Sequence, residues 1–253
     1  MGFIGNKPTD VPLTGADILD GTITVADMAA TGTASGLTLL RGDGPWSTEV
    51  LSAYMSGVGG TITTDGNFKV HVFTSSGTFT PTIGVDASVG DKVEYLVIAG
   101  AGGGENGGGG GGGYLTATGL AITTQSYSVT VGAGGARDSA GVNSIFSSIT
   151  ATGGGQGGNY ADAGSTGGSG GGGGWNTSNA VMAGGSATVS PSQGNAGGNS
   201  SGTNYANGGG GGGAGGIGVN GHATNGAGGT GGAGLSSSIT GSAVLRGGGG
   251  GGG

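Results

Sequence analysis

The chain has 253 residues, 74 of them glycine, with 8% charged residues and a formal net charge of −7. That balance argues against nucleic acid as a partner, because no basic patch exists to neutralise phosphates. The absence of cysteine removes disulfides and thiolate metal sites from consideration.

Met1–Leu13 contains Pro8 and Pro12 and reads as an extended arm. Leu13–Ala30 carries apolar Ile18, Leu19, Ile23, Val25 and Met28, interrupted by Gly15 and Gly21. Thr14 and Asp17 can cap a short helical turn, and Thr22–Val25 can form a short strand. Such a piece buries too little surface to fold alone. Residues 1–60 are therefore expected to be an attachment or oligomerisation arm, with Ile18, Leu19, Ile23, Val25 and Trp46 as assembly candidates. Leu39–Ser47 reads L-L-R-G-D-G-P-W-S, with turn signals at Asp43-Gly44 and Gly44-Pro45. Its Arg41-Gly42-Asp43 is too short a tripeptide to argue for integrin binding.

Strand patterns follow. Asn67–Thr74 alternates, with Phe68, Val70 and Val72 on one face and Lys69, His71 and Phe73 on the other. Thr78–Thr80 begins another strand after a turn at Ser75–Gly77. Lys92–Ala99 is the strongest, and its continuous apolar end predicts burial on both faces. Gln125–Val131 alternates again, and Asn143–Thr150 supplies one more strand. These segments predict a small β-domain over about residues 61–151, inside a glycine-rich domain spanning 61–253.

Of the glycines, 15 precede residue 100 and 59 follow from Gly100 onward. They concentrate in runs at Gly100–Gly113, Gly153–Gly158, Gly167–Gly174, Gly208–Gly216, Gly226–Gly234 and Gly247–Gly253. Flexible linkers are usually Gly/Ser mixtures, whereas several of these runs start directly after strand-like segments. Ordering fourteen residues costs on the order of 14–28 kcal/mol of backbone entropy, and no side chain is available to offset it. If ordered, the runs must pair their N–H and C=O groups with one another. The suitable conformation is the left-handed polyproline-II helix, in which Gly100–Gly113 would span roughly 43 Å. The predicted class is mainly β with irregular structure: a small β-domain plus a polyglycine-II helix bundle, with little or no α-helix. Collagen is excluded, since no sustained G-X-Y period exists. Inward positions of such a bundle have no room for Cβ, so alanine tolerance should alternate about every third residue.

The chemistry-bearing residues are sparse. His71 and His222 are the only histidines, with 150 residues between them. The acids are scattered singly, Asp17, Asp20 and Asp27 lack the calcium-loop pattern, and no lysine follows Lys92 to complete a phosphate loop. No enzyme activity, cofactor or metal is expected. No run of 18 apolar residues exists to insert into a membrane. Met1–Pro12 lacks the basic and apolar regions of a secretory signal. What remains are insertions between glycine runs, including Asn159-Tyr160-Ala161, Trp175-Asn176-Thr177, Asn204-Tyr205-Ala206 and Arg137-Asp138. Exposed turns carrying Tyr, Trp, Asn and Arg suit recognition of a glycan or a membrane protein. Tyr160, Trp175, Asn176, Asn204, Tyr205 and Arg137 are the candidates. The alternative is that the aromatic residues seal the edges of the bundle.

Phe73–Thr80 (F-T-S-S-G-T-F-T), then V-E-Y-L-V-I-A-G-A-G-G-G, then Ser126–Gly135 (S-Y-S-V-T-V-G-A-G-G) form an ordered set of motifs. Together with L-R-G-D-G-P-W, this set resembles the glycine-rich distal domain of bacteriophage tail fibres and receptor-binding adhesins. The resemblance covers roughly residues 67–253. It implies a structural virion protein, commonly trimeric, that attaches to other tail proteins and contacts a host surface glycan or outer-membrane protein. The expected location is the virion tail fibre, outside the cell. The alternative is a self-assembling helical filament or surface coat on a virion or cell, built by exchange of Met1–Ala30 between subunits. The final S-I-T-G-S-A-V-L-R-G-G-G repeats the strand-then-glycine unit, and a longer native chain is expected from it.

Overall fold

Short stretches of β-branched and aromatic residues, each broken by glycine or serine, make antiparallel strands rather than helices. The computed structural model describes residues 54–84, 90–202, 207–224 and 226–253, all within one unit, Ser52–Gly253. Ile18, Leu19, Ile23, Val25 and Trp46, and the strand expected at Thr22–Val25, lie outside the described residues. Among the described residues the strands are the regular elements and no α-helix occurs.

Strands β1 (Ser56–Val58), β4 (Gly77–Thr82), β7 (Tyr127–Thr130), β8 (Ser144–Phe146) and β9 (Ile149–Ala151) form one antiparallel sheet in the order β1-β4-β7-β8-β9. Strands β2 (Thr61–Asp65) and β3 (Phe68–Val72) form a hairpin, as do β5 (Lys92–Ile98) and β6 (Tyr114–Ala121). Phe79, Ile122 and Tyr127 make the first apolar core, and Val97, Ala99 and Ala151 the second, with Phe146 packed against both. Two sequence expectations change here. Asn143–Thr150 is not one strand but the β8–β9 hairpin, which turns at Ser147 with φ +56°. The apolar end of β5 is not buried on both faces: Val97 is buried and its neighbours only partly. The reason is that β5 pairs with β6 alone in a two-stranded ribbon.

Beyond the sheet, backbone hydrogen bonds repeat every third residue. The amides of Gly208, Gly209, Gly210, Gly211, Gly212 and Gly213 donate in turn to the carbonyls of Gly253, Gly173, Val219, Gly250, Gly170 and Gly216. Residues three apart address one neighbouring segment, and consecutive residues address three different ones. A strand would alternate between two neighbours, and an α-helix would bond to itself. Three directions in rotation mark a three-residue helix without internal bonds. Within the runs, φ is positive only at Gly112, Gly226 and Gly247, so the remaining residues keep the polyproline-II hand.

These glycine helices pass up from the β-module and back down, some parallel to their neighbours and others antiparallel. Gly154 and Gly157 donate to Gly100 and Gly103, a parallel pair; Gly107, Gly110 and Gly113 donate to Gly158, Gly155 and Thr152, an antiparallel one. Every residue of Gly107–Gly113, Gly167–Gly174 and Asn207–Ala214 is buried. These three segments bond in a closed circuit: Gly108 donates to Gly209, Gly209 to Gly173, and Gly172 to Gly108. The centre of the bundle is thus almost pure backbone. Polar groups there are satisfied by neighbouring chain, as buried backbone requires.

The hairpins run straight into the bundle. The β5–β6 pair Ile98↔Tyr114 is continued by Ala99 donating to Gly113, Gly102 to Gly110 and Glu105 to Gly107. Gly100–Gly113 therefore folds back on itself at Glu105-Asn106, and the single helix of roughly 43 Å expected from its length does not form. Strands β10 (Leu235–Ser237) and β11 (Val244–Arg246) continue in the same way, with Gly249 donating to Gly232 and Gly252 to Gly229.

The expected three-residue alternation in room for Cβ is absent at the centre. A Cβ on any residue of Gly107–Gly113 would meet another atom within 2.5 Å, because other segments surround that helix on all sides. The alternation appears on outer helices. Ala227, Thr230 and Ala233 are exposed, Gly228, Gly231 and Gly234 partly so, and Gly229 and Gly232 buried. Side chains there occupy every third residue, on the outward face. Ala101 and Gly104 are likewise exposed, whereas Gly103 between them is buried.

Candidate functional site

The up-and-down course of the glycine helices divides their connections between two ends. At the β-module end lie the strand junctions and the Thr188–Gln193 loop, whose Gln193 carbonyl accepts from the amide of Tyr114 and whose Oε1 accepts from the amide of Thr152. At the opposite end lie the turns Glu105-Asn106, Ala136–Ser139 and Asn159–Asp162, the loop Trp175–Met182 and the loop around His222. Carbonyls of these turns satisfy amides there: Ser139 accepts from Gly103, Trp175 from Ala161, and Asn106 from Gly253. The polar and aromatic insertions picked out in the sequence are thereby gathered on the far end of the scaffold, except Asn204 and Tyr205, which lie outside the described residues.

Local backbone conformation holds these turns. Asp138, Ala161 and Asn179 have φ of +59°, +63° and +58°. Asp and Asn tolerate this region through local hydrogen bonding, but alanine does not favour it. Ala161 keeps it because its amide donates to Trp175 while the Asn159 side chain accepts from the amide of Tyr160 and the Asn159 carbonyl from Asp162. Three bonds thus hold one tight turn, and Tyr160 sits at its apex.

Tyr160 and Trp175 come together. Their ring centres are 5.4 Å apart with planes at 86°, an edge-to-face contact. The Tyr160 hydroxyl is 2.7 Å from Thr177 Oγ1. Tyr160 is half exposed and Trp175 partly buried, so the pair both seals the end of the bundle and presents a ring edge and two hydroxyls to solvent. Asn176 turns inward instead. It is 6% exposed, and its Oδ1 accepts from the amide and hydroxyl of Ser178 while Nδ2 donates to the Ala180 carbonyl. It shapes the exposed loop 177–180 rather than lying on its surface.

Arg137 is exposed and pairs with Glu105, whose side chain is 7% exposed. Sequence reading singled out Arg137 but missed Glu105, which looked like an interruption in a glycine run. Its place in the polar pair Glu105-Asn106, at the fold-back itself, is the signal that could have identified it. His71 contributes elsewhere: its Nδ1 lies 2.8 Å from the Gly59 carbonyl and its ring packs edge-on against Phe79. His222 stands at the far end, its amide donating to Ala227. Among the described residues no group of His, Cys, Asp or Glu is placed to hold a metal ion, and no helix is long and apolar enough to cross a membrane.

No curated protein and no solved structure matches the chain. A family model described as a glycine-rich domain matches residues 74–253. The match begins at the Thr74–Ser76 turn before β4 and takes in the main sheet from β4 onward and all the glycine helices. With well over half its length matched, the chain belongs to this glycine-rich domain family.

Proposed function

We propose that the protein is a structural component of a bacteriophage tail fibre, and that the far end of its glycine bundle recognises the host bacterial surface. The observation that carries this reading is the segregation of sequence types. Glycine fills the shaft of the bundle, while Tyr160, Trp175, Thr177 and Arg137 occupy turns at one end. A backbone core of this kind fixes the turns without depending on what they contain, so recognition residues can vary on a rigid support. In this reading the N-terminal arm attaches the subunit to other tail proteins, and the protein acts outside the cell without cofactor or catalysis.

The test is saturable binding of the full chain to a panel of bacterial cells, with and without stripping of surface polysaccharide or of surface protein. Binding to particular strains is expected. It should fall at least tenfold when Tyr160 and Trp175 are both replaced by serine. No binding to any strain, or binding indifferent to these residues, would overturn the assignment. Stripping distinguishes a glycan from an outer-membrane protein as the receptor.

A further inference from the structure

The connection from β3 to β4 borders a small cleft in the β-module. Gly60, Thr61 and Val72, at the open end of the β2–β3 hairpin, form one wall, and Phe73–Gly77 with Thr78 of β4 form the other. The cleft holds about 210 Å³, below the roughly 300 Å³ at which pockets for drug-sized ligands begin, so it admits one small ring. Phe73 is half-buried and packs against the core of Phe79, Ile122 and Tyr127 while also lining the cleft. Three glycines stand around its ring. A Cβ on Gly59 would lie 3.2 Å from Cζ, on Gly60 3.2 Å from Cδ2, and on Gly77 3.5 Å from Cε1.

The backbone accounts for two of these glycines but not for the third. Gly59 and Gly60 have φ of +117° and +64°, and a Cβ there would strike the carbonyl oxygens of Thr78 and Val72 at 2.1 and 2.6 Å. Gly77 has no positive φ, and the nearest atom to its Cβ position is the Phe73 ring, at ordinary van der Waals distance. It opens β4, where a residue with a side chain would suit the sheet better. A strand glycine with no such need marks a place that another molecule or backbone approaches closely. Gly77 leaves the Phe73 ring uncovered.

Polar groups rim the opening. Ser76 Oγ accepts from the amide of Val131 at 3.0 Å, which leaves its own proton to donate. The hydroxyls of Thr74, Ser75 and Thr78 and the amides of Thr74, Ser75 and Ser76 make no hydrogen bond among the described residues. No acid or base lines the cleft. A phosphate or carboxylate would find no cation there, and an aliphatic ligand would leave the rim unmatched.

We propose that this cleft binds one neutral sugar ring. The polarised C–H groups of one sugar face lie on the electron-rich face of Phe73, and the hydroxyls at its edge exchange hydrogen bonds with Thr74, Ser75, Ser76 and Thr78. The site belongs to the β-module and involves none of the side chains at the far end of the bundle, so it stands apart from host recognition there.

Saturation-transfer NMR on the full chain tests it, with the methyl glycosides of glucose, galactose, mannose and N-acetylglucosamine as probes. At least one should bind saturably, with the strongest transfer to the protons of one ring face. Gly77→Ala sets a methyl over the Phe73 ring without strain, so binding should fall at least tenfold while the melting temperature holds. Thr74→Val and Ser75→Ala, both at exposed positions, should each weaken binding severalfold. Replacing both Tyr160 and Trp175 by serine should leave it unchanged. Competition by a soluble polysaccharide that carries the bound sugar supports a polymer-borne ring in the cleft, and its failure supports a free one. No saturable binding of any of the four sugars would overturn the proposal. So would binding that Gly77→Ala spares, or binding that is lost with Tyr160 and Trp175. Should Gly77→Ala lower the melting temperature, the Thr74 and Ser75 variants decide, and wild-type affinity in both overturns the site.

Discussion

A methyl group on Gly110 would stand 2.2 Å from the carbonyl oxygen of Ser169. That oxygen also accepts a hydrogen bond from the amide of Gly155, so it cannot withdraw without breaking a bond elsewhere. Gly110→Ala should destabilise the protein by about 1–3 kcal/mol, the range for overpacking a tight interior. The same loss is expected at each residue of Gly107–Gly113. At Gly134 the nearest atom is 3.7 Å away, and alanine there should be neutral or stabilise by up to about 1 kcal/mol through the unfolded chain. Thermal melting of the full-length variants separates the two groups. A uniform tolerance of alanine would show that the runs are spacers.

Hydrogen exchange gives a second, independent reading. Gly208–Gly213 are all buried and all their amides are hydrogen-bonded to neighbouring segments, so they should exchange only on global unfolding. The exposed residues of loop 177–180 should exchange orders of magnitude faster. Random-coil exchange through Gly208–Gly213 would contradict the bundle directly.

Sequence reading reached the strands and the glycine helices by different routes and with different success. Period-two alternation located β3 and β7, a continuous apolar end located β5, and the turn at Ser75–Gly77 marked the start of β4. It merged β8 and β9, since Ser147-Ser148 carries no glycine or proline to mark the turn. Pairing of the glycine runs followed from the need to satisfy their backbone, but where a run reverses could not be read from glycine alone. Glu105-Asn106 and Ala227-x-x-Thr230-x-x-Ala233 held that information. A polar pair marks a fold-back, and a side chain every third residue marks an outward face. Tyr160 and Trp175 were both selected as candidates, but their contact depends on the bundle bringing Ala161 to Trp175.

The Glu105–Arg137 pair offers a test of how the far end is held. Oε1 of Glu105 meets the guanidinium, and Oε2 is buried without a hydrogen-bond partner among the described residues. Removing the arginine leaves a buried carboxylate uncompensated, which costs more than losing an exposed ion pair. Arg137→Ala should therefore destabilise by about 1–3 kcal/mol, and adding Glu105→Gln should recover part of that loss. A double-mutant cycle by denaturant unfolding measures the coupling. Strictly additive effects would mean that the carboxylate is solvated and the pair is decorative.

Asn176 separates the shape of the recognition loop from its chemistry. Its side chain is buried, yet every bond it makes serves exposed residues, namely Ser178 and Ala180. Between them lies Asn179, with φ of +58°, and the bonds on either side of it restrain the loop. Asn176→Ala removes that restraint and leaves local donors unsatisfied, at a cost of about 1–3 kcal/mol. The loss should be local, because the neighbouring amide of Gly174 is held by Asp162 and not by Asn176. Limited proteolysis should then cut within residues 177–180, while the melting transition of the bundle moves little. Asn176→Asp keeps the acceptor that binds both the amide and the hydroxyl of Ser178 but turns the donor to Ala180 into a carboxylate oxygen facing its carbonyl, so its loop should be cut at a rate between those of wild type and the alanine variant. If the tip binds a bacterial surface, the alanine variant should bind most weakly and the aspartate variant between it and wild type, although neither changes an exposed side chain. Equal binding by all three would locate recognition at Tyr160 and Trp175 alone and leave loop 177–180 as a cover for the end of the bundle.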